Sequence, residues 1–305
     1  MSDQSVLYDV PGPRAVRRQR IGTAAALVLI AGLVAVAIQR LASRGQFDSD
    51  LWSPWVNPSD DSFAQVWELV GRGALNTILA AAMAITLSLL VGVVLGVARM
   101  MSGRMGRIPV VGFIELFRGL PVVITIVFVW RAMAELDVPI DVLPGEPALW
   151  YLVIGLTLYN SVIVAEILRA GVASLPRGQG EAGRAIGMTE GQVRRSILLP
   201  QAFRTMLPAL ISQLVVVLKD TSLAAVIGLG YFELLRRGNQ ISQVLDNPIQ
   251  SLFIVGAIFV VINYGLSRLA VYVERRMSTS SYSDPSPEVG EVTLGAQAHG
   301  GAGGV

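Results

Sequence analysis

Apolar and polar positions alternate along this chain in long blocks. Six apolar windows stand out, at residues 21–39, 73–98, 108–133, 147–165, 205–232 and 247–267. A bilayer core about 30 Å thick takes about 20 mostly apolar residues in one helix, so each window predicts a spanning helix. The first and second are free of charge, and the last is clean to Ser267 and continues to about Val273. The third holds Glu115 and Arg118 near its start, the fourth runs into Glu166 and Arg169, and the fifth is interrupted by Lys219 and Asp220. Between the fourth and fifth lies EAGRAIGMTEGQVRRSILLP, residues 181–200, too polar for the bilayer and too regular for a plain linker. Glu181 is expected to open a short helix there, because a carboxylate is favoured at the positive end of the helix dipole. Ala182, Ala185 and Ile186 give that helix a small, smooth face, and Gly187 is placed to stop it in the left-handed conformation. Thr189 followed three residues later by Gln192 is a capping box and predicts a second helix start. Val193 and Ile197 then share a face, and Pro200 marks a kink or an end. The result is a helix–turn–helix outside the bilayer. It serves either as an ordered loop resting its arginines on lipid headgroups or as a knob that docks a partner.

Composition agrees with a polytopic membrane protein. The chain is 53% hydrophobic and 15% charged, against about 25% charged in a soluble protein. A net charge of +2 gives no reason to expect nucleic acid. There is no Cys, and the sole His is His299 in the tail, which argues against disulfides, resident metal sites and Ser-His-Asp chemistry. Arginines cluster before the first window, after the second, between the fourth and fifth, and after the sixth. Alternating spans put all four clusters on one side, and positive loops stay in the cytoplasm. Both termini and residues 181–200 are therefore expected to be cytoplasmic. The five Trp fall at or near the opposite side, as an interfacial belt would. An arginine-rich start and an apolar run also fit a signal peptide, but a signal core spans about 7–15 residues, so a retained helix is expected. Residues 42–64 read as an external linker, and residues 278–305 as a disordered tail rich in Ser, Gly and Pro.

Charges inside a membrane are expensive and point to function. Glu115 and Arg118 are spaced to pair on one helix face, with a bend expected at Arg118-Gly119-Leu120-Pro121. Glu166 is spaced to pair with Arg169, or to meet a substrate ammonium. Lys219 and Asp220 can neutralise each other, with Thr221 and Ser222 satisfying backbone groups freed by a broken helix. Broken helices at membrane depth normally line a cavity. Arg118, Asn160, Glu166, Lys219, Asp220, Thr221 and Ser222 are thus the pathway candidates, with Asn160, Ser161 and Gln213 also suited to interhelical hydrogen bonds. A phosphate-binding loop needs G-x-x-x-x-G-K-[ST]. Lys219 is the only Lys and sits between Leu218 and Asp220, so the chain holds no such loop.

Glu181-Ala182-Gly183, Gly187, Ile197 and Leu199-Pro200 resemble the EAA loop of bacterial ABC importer permeases, with Gly183 in place of the second Ala. Arg118-Gly119-Leu120-Pro121, Ala165-Glu166-Ile167, Leu175–Gln179 and Leu218–Leu223 resemble further motifs of the polar amino-acid subfamily, in the same order. The resemblance covers residues 63–276 and is similar to the longer permease of actinobacterial glutamate uptake systems. It implies an all-α polytopic protein with the five-helix, MetI-like core at residues 65–277, EAA loop 177–200 included. An extra N-terminal transmembrane helix at 21–41 follows a basic cytoplasmic segment, 1–20. It further implies coupling of the EAA loop to a dimer of ABC ATPase subunits, a second permease, an external solute-binding protein and a setting in membrane lipid. This chain would bind no cofactor, and ATP and Mg would sit on the ATPase. In related permeases for cationic amino acids, an acidic group near Glu166 helps hold the ligand. Glutamate is the expected substrate, with glutamine, aspartate, histidine or arginine as alternatives. An ATP-independent transporter, or a membrane receptor that only docks a partner, would each explain part of the pattern.

Overall fold

A computed structural model describes residues 12–278. The expected disordered tail lies outside the described residues, apart from Ser278. Helix α1 (Pro13–Ser43) buries none of its residues against the rest of the chain. Part of the segment expected as a linker is instead a packed helix, α2 (Ser49–Val56). Its Trp55 is 1% exposed, and the Asn247 and Gln250 side-chain amides donate to the Leu51 and Gln46 carbonyls at 3.1 and 2.7 Å. Two prolines and several acids disguised it in the sequence.

The long α3 (Phe63–Met101) comes next, and then α4 (Arg104–Gly119) and α5 (Val122–Glu135). The third apolar window is therefore no straight span, because α4 and α5 meet at 111°. The break is local chemistry. Pro121 has no N–H to donate, and it pushes Leu120 into extended backbone with ψ 141°. After a short 3-10 turn come α6 (Pro147–Ser174), α7 (Arg177–Ala185) and the single turn α8 (Glu190–Gln192). A π-helical stretch (Val193–Leu198) leads into α9 (Leu199–Asp220). The short α10 (Leu223–Val226), α11 (Leu234–Leu245) and α12 (Pro248–Ser278) complete the described chain. Among the described residues, five helices are long and apolar enough to cross a membrane, and the bent α4–α5 pair makes a sixth if it counts as one span.

The bundle is built on α3 lying against α6. A methyl group built on Gly92 would stand 2.5 Å from Val164 Cβ and 2.7 Å from the Ser161 carbonyl oxygen. Gly96, four residues on, faces Leu168 and Ala165. On the other side of α6, Gly155 meets the Ile126 backbone of α5. Small residues let helices approach closely where lipid supplies no hydrophobic drive between them. Ala80, Ala84, Ile126, Leu152, Leu156 and Val217 fill the core around this contact.

The fifth window also departs from a straight helix. Residues 227–233 are not helical. A backbone inside a membrane protein still needs its partners, and α3 supplies them. The Tyr231 hydroxyl donates to the Asn76 carbonyl at 2.9 Å, the Asn76 amide donates to the Phe232 carbonyl at 2.9 Å, and the Leu234 N–H donates to Thr77 Oγ1 at 3.0 Å. The Glu233 carboxylate caps α11 through the Leu235 and Arg236 N–H groups.

Gly92→Leu should destabilise the bundle by at least the ~1–3 kcal/mol typical of overpacking. Gly256→Ala, where nothing lies within 4 Å of the added methyl, should not destabilise it. Thermal unfolding of the two purified variants in one detergent checks the contrast, and equal midpoints would contradict the packing.

Candidate functional site

Residues 177–200 form the helix–turn–helix. Helix α7 opens at Arg177 rather than at Glu181, because Pro176 at its N-cap ends the preceding run and sets the new entry. Glu181 therefore sits mid-helix, and it is exposed together with Ala182, Ala185 and Ile186. Ile186 is 79% exposed. Gly187 has φ +85°. Its N–H donates to the Arg184 carbonyl at 2.9 Å, and the Met188 N–H donates to the Gly183 carbonyl at 3.1 Å, closing the helix end as a left-handed glycine does. The Thr189–Gln192 capping box is formed in both directions. An ion pair of 2.9 Å between Arg184 and Glu190 braces the two arms.

Gly183 does not lie on the outer surface. It is buried inside the corner, and a methyl built there would stand 2.8 Å from Ile197 Cδ1 and 3.0 Å from Val193 Cγ2. Val193 and Ile197 share a face, as expected, and that face closes on Gly183. The second arm does not end at Pro200. The prolyl residue lies in the first turn of α9, where its missing N–H is no loss, and the π-helical stretch ends just before it. Leu199 is buried against Leu168 and Ala202, and the Gln201 amide donates to Gln179 Oε1 at 2.5 Å. The corner is thereby fixed to both α6 and α9.

A second constellation lies where α3, α4 and α6 converge. Glu166 is bound by Arg99 and Arg169, the latter at 2.9 Å, and Arg118 stands 3.8 Å away. Glu115 and Arg118 do not pair with each other as their spacing suggested. Glu115 reaches Arg99 at 3.8 Å and Arg118 reaches Glu166, because α4 lays both side chains across the ends of its neighbours. Arg99 and Glu166 are 12% and 16% exposed in their side chains, whereas Arg118 is 56% exposed. The Arg194 guanidinium donates to the Met100 carbonyl, joining the helix–turn–helix to the end of α3.

A third set lies between α6, α9 and α12. Asn160 is fully buried, and the Gln213 amide donates to its Oδ1 at 2.7 Å. Asn160 is therefore held in an interhelical bond. Lys219 and Asp220 form no ion pair, since neighbours on a helix point about 100° apart. The Thr221 and Ser222 hydroxyls donate to the Leu218 and Lys219 carbonyls, both at 2.7 Å, where α9 breaks. Lys219 is exposed and lines a groove of about 440 Å³ with Ser222, Asn263, Tyr264 and Ser267. The α12 members were missed in the sequence. Their signal was polar residues four apart, Asn263 and Ser267, within an apolar window.

A sequence profile described as "Binding-protein-dependent transport system inner membrane component" matches residues 66–279. The chain belongs to that family. This permease is 40% identical to the glutamate transport system permease protein GluD of Corynebacterium glutamicum, over 78% of this chain and 83% of that one. It is 33% identical to the glutamine transport system permease protein GlnP of Escherichia coli, over 68% and 93% of the two chains. Among solved structures, an amino acid ABC transporter crystallised with histidines superimposes with a TM-score of 0.63 at 29% identity, over 70% of this permease and 97% of that chain. The inward-facing methionine transporter MetNI shares the fold, with a TM-score of 0.55. This permease is a multi-pass membrane subunit of an ABC importer for amino acids. It is a transport component, and ATP hydrolysis is carried by a separate ATPase.

Glu166→Gln leaves Arg99 and Arg169 without their main counter-charge. Losing charge-assisted hydrogen bonds in a part-buried network costs about 1.5–3 kcal/mol, so this variant should unfold at lower temperature. Arg118→Gln should change the midpoint little, because Arg118 is exposed and distant. Thermal unfolding in detergent separates the two, and an unchanged Glu166→Gln midpoint would contradict the network.

Proposed function

We propose that this permease imports glutamate, driven by ATP hydrolysis on a partner. The observation that carries the substrate is the 40% identity to GluD over most of both chains. The same subunit supplies a translocation path and an exposed coupling corner. Glu181, Ala182, Ala185, Ile186 and Gly187 present the outer surface of residues 177–200 to the ATPase, and Gly183, Ile197, Leu199 and Pro200 set its shape and its join to α9. ATP and Mg reside on a dimer of ATPase subunits, and an external solute-binding protein delivers the amino acid. The corner faces the cytoplasm, with both termini, a reading the arginine distribution supports. Residues 65–277 form the permease domain, α1 is an additional anchor, and the terminal segments are appendages.

The groove at Lys219 supports a second permease subunit and an aqueous path between the two. An ammonium at membrane depth is expensive against lipid. Yet Lys219 is exposed, with Ser222, Asn263, Tyr264 and Ser267 beside it. A facing subunit hides this polar strip and leaves Lys219, Thr221 and Ser222 beside the moving substrate. Arg118 and Glu166 lie at the mouth of α4 and α6, where arginines outnumber carboxylates, and that balance favours an acidic amino acid over a cationic one. Identity to GlnP favours glutamine as the second reading.

Uptake into proteoliposomes containing this permease, its ATPase and its binding protein should be ATP-dependent. Unlabelled glutamate should compete more strongly than glutamine. Glutamine competing better would move the substrate to the second reading, and uptake by the permease alone would contradict the coupled mechanism. Glu181→Lys should lower uptake at least tenfold, since 1.4 kcal/mol at a docking contact is a factor of about ten. Normal membrane insertion is expected, and undiminished uptake would argue against the docking surface.

A further inference from the structure

Beside the Glu166 network, a cavity of about 250 Å³ opens between the ends of α3 and α6 and the π-helical stretch. Four arginines line it, Arg99, Arg107, Arg169 and Arg194, and no carboxylate does. Arg107 makes no ion pair among the described residues, and the Arg99 Nε is buried without a hydrogen-bond partner. Across the surrounding network, six arginines (Arg99, Arg107, Arg118, Arg169, Arg184 and Arg194) face the three carboxylates Glu115, Glu166 and Glu190. The internal acids therefore leave positive charge unsatisfied. A second groove, of about 630 Å³, runs from the same Arg107 along α4, past Ile108, Val111 and Gly112. Ile108 is 68% exposed.

We propose that these two adjoining depressions hold one anionic phospholipid, its phosphate among the arginines and an acyl chain along α4. The chemistry of each part selects the occupant. Guanidinium groups bind phosphate oxygens in paired hydrogen bonds, and basic pockets between spanning helices at the cytoplasmic surface take anionic headgroups. A free phosphate satisfies the first depression but has no use for the apolar groove beside it. The position of the site at the inner leaflet rests on the orientation proposed above; binding itself does not depend on which amino acid is carried. The bound phosphate bridges α3, α4 and Arg194, and Arg194 belongs to the coupling corner, so the lipid steadies that corner against the bundle.

Native mass spectrometry of the full-length protein tests this, with dioleoyl phosphatidylglycerol and dioleoyl phosphatidylcholine as probes at matched concentrations. Phosphatidylglycerol should be retained preferentially. Arg107→Gln should weaken its retention about fivefold, the contribution of one basic group at an anionic lipid. Gly112→Trp fills the apolar groove, where an added side chain meets nothing within 4 Å at its Cβ, and should weaken lipid retention. Inorganic phosphate measured by calorimetry forms the other arm. Equal retention of the two lipids, or retention unchanged in both variants, would overturn the proposal. So would phosphate binding that Arg107→Gln abolishes while Gly112→Trp leaves lipid retention intact, which would make the site one for a free anion. An unaltered thermal midpoint in each variant shows that the fold is retained.

Discussion

The close approach of α3 to α6 at Gly92 sets the arrangement of the groups around it. With Val164 and the Ser161 carbonyl where a side chain would be, the two helices are held at near-backbone contact. Four residues further along α3, Gly96 continues the contact against Leu168 and Ala165. Less than a turn beyond it, Arg99 comes opposite Glu166, and the ion pair forms because the backbone has already brought the groups together. Arg118 and Glu115 then join from α4, Arg169 joins from α6 itself, and Arg194 binds the end of α3. The glycine contact, the charge cluster and the anchoring of the corner are thus successive consequences of one packing choice. The order matters energetically. An ion pair that had to bring the helices together by itself would lose most of its attraction to desolvation. Here apolar packing sets the distance, and Arg99 and Glu166 pair within it.

Local signals carried the sequence reading furthest. Windows of about 20 apolar residues, the Thr189–Gln192 box and the position of Gly187 all depend on a few neighbouring residues; four of the six windows run as long unbroken helices, and the box and the glycine turn form as expected. Long-range pairings were less legible. Glu115 and Arg118 have the spacing of a helical pair, yet each finds a better partner across a helix interface that no local rule reveals. Lys219 and Asp220 looked complementary because they are adjacent, while helix geometry turns adjacent side chains apart. The packed α2 was hidden by Pro54 and Pro58 and by its acids. Its burial depends on Asn247 and Gln250, almost two hundred residues away.

Gly183 shows how a family resemblance can misdirect when it is read without packing. As the departure from the EAA pattern it invited a role at the partner surface. In the structure it is the point where α7 and the π-helical stretch touch, and the small side chain is needed by Ile197 and Val193. The added methyl of Ala would meet mainly the flexible end of Ile197, so the family's residue and this one are two solutions to the same corner. Under the proposed docking, a partner meets the opposite side of α7, where Glu181, Ala182 and Ala185 are exposed.

That geometry bears on how force can travel. Under the proposed docking, motion of the ATPase acts on the exposed side of α7. The buried side of α7 is locked to Val193 and Ile197, and Gln179 is hydrogen-bonded to Gln201 at the start of α9. Under that docking, these contacts pass a displacement of the corner on to α9, a helix of 22 residues. Pro208 interrupts the hydrogen-bond ladder within that helix, and the ladder ends at the break after Asp220. There the Thr221 and Ser222 hydroxyls donate to the Leu218 and Lys219 carbonyls, and the Ser222 N–H shares the latter. Lys219 and its polar groove lie at that break. Under the proposed substrate path, motion carried by α9 reaches the polar strip at its end, while α12 and the stitched segment 227–233 hold the surrounding bundle in place.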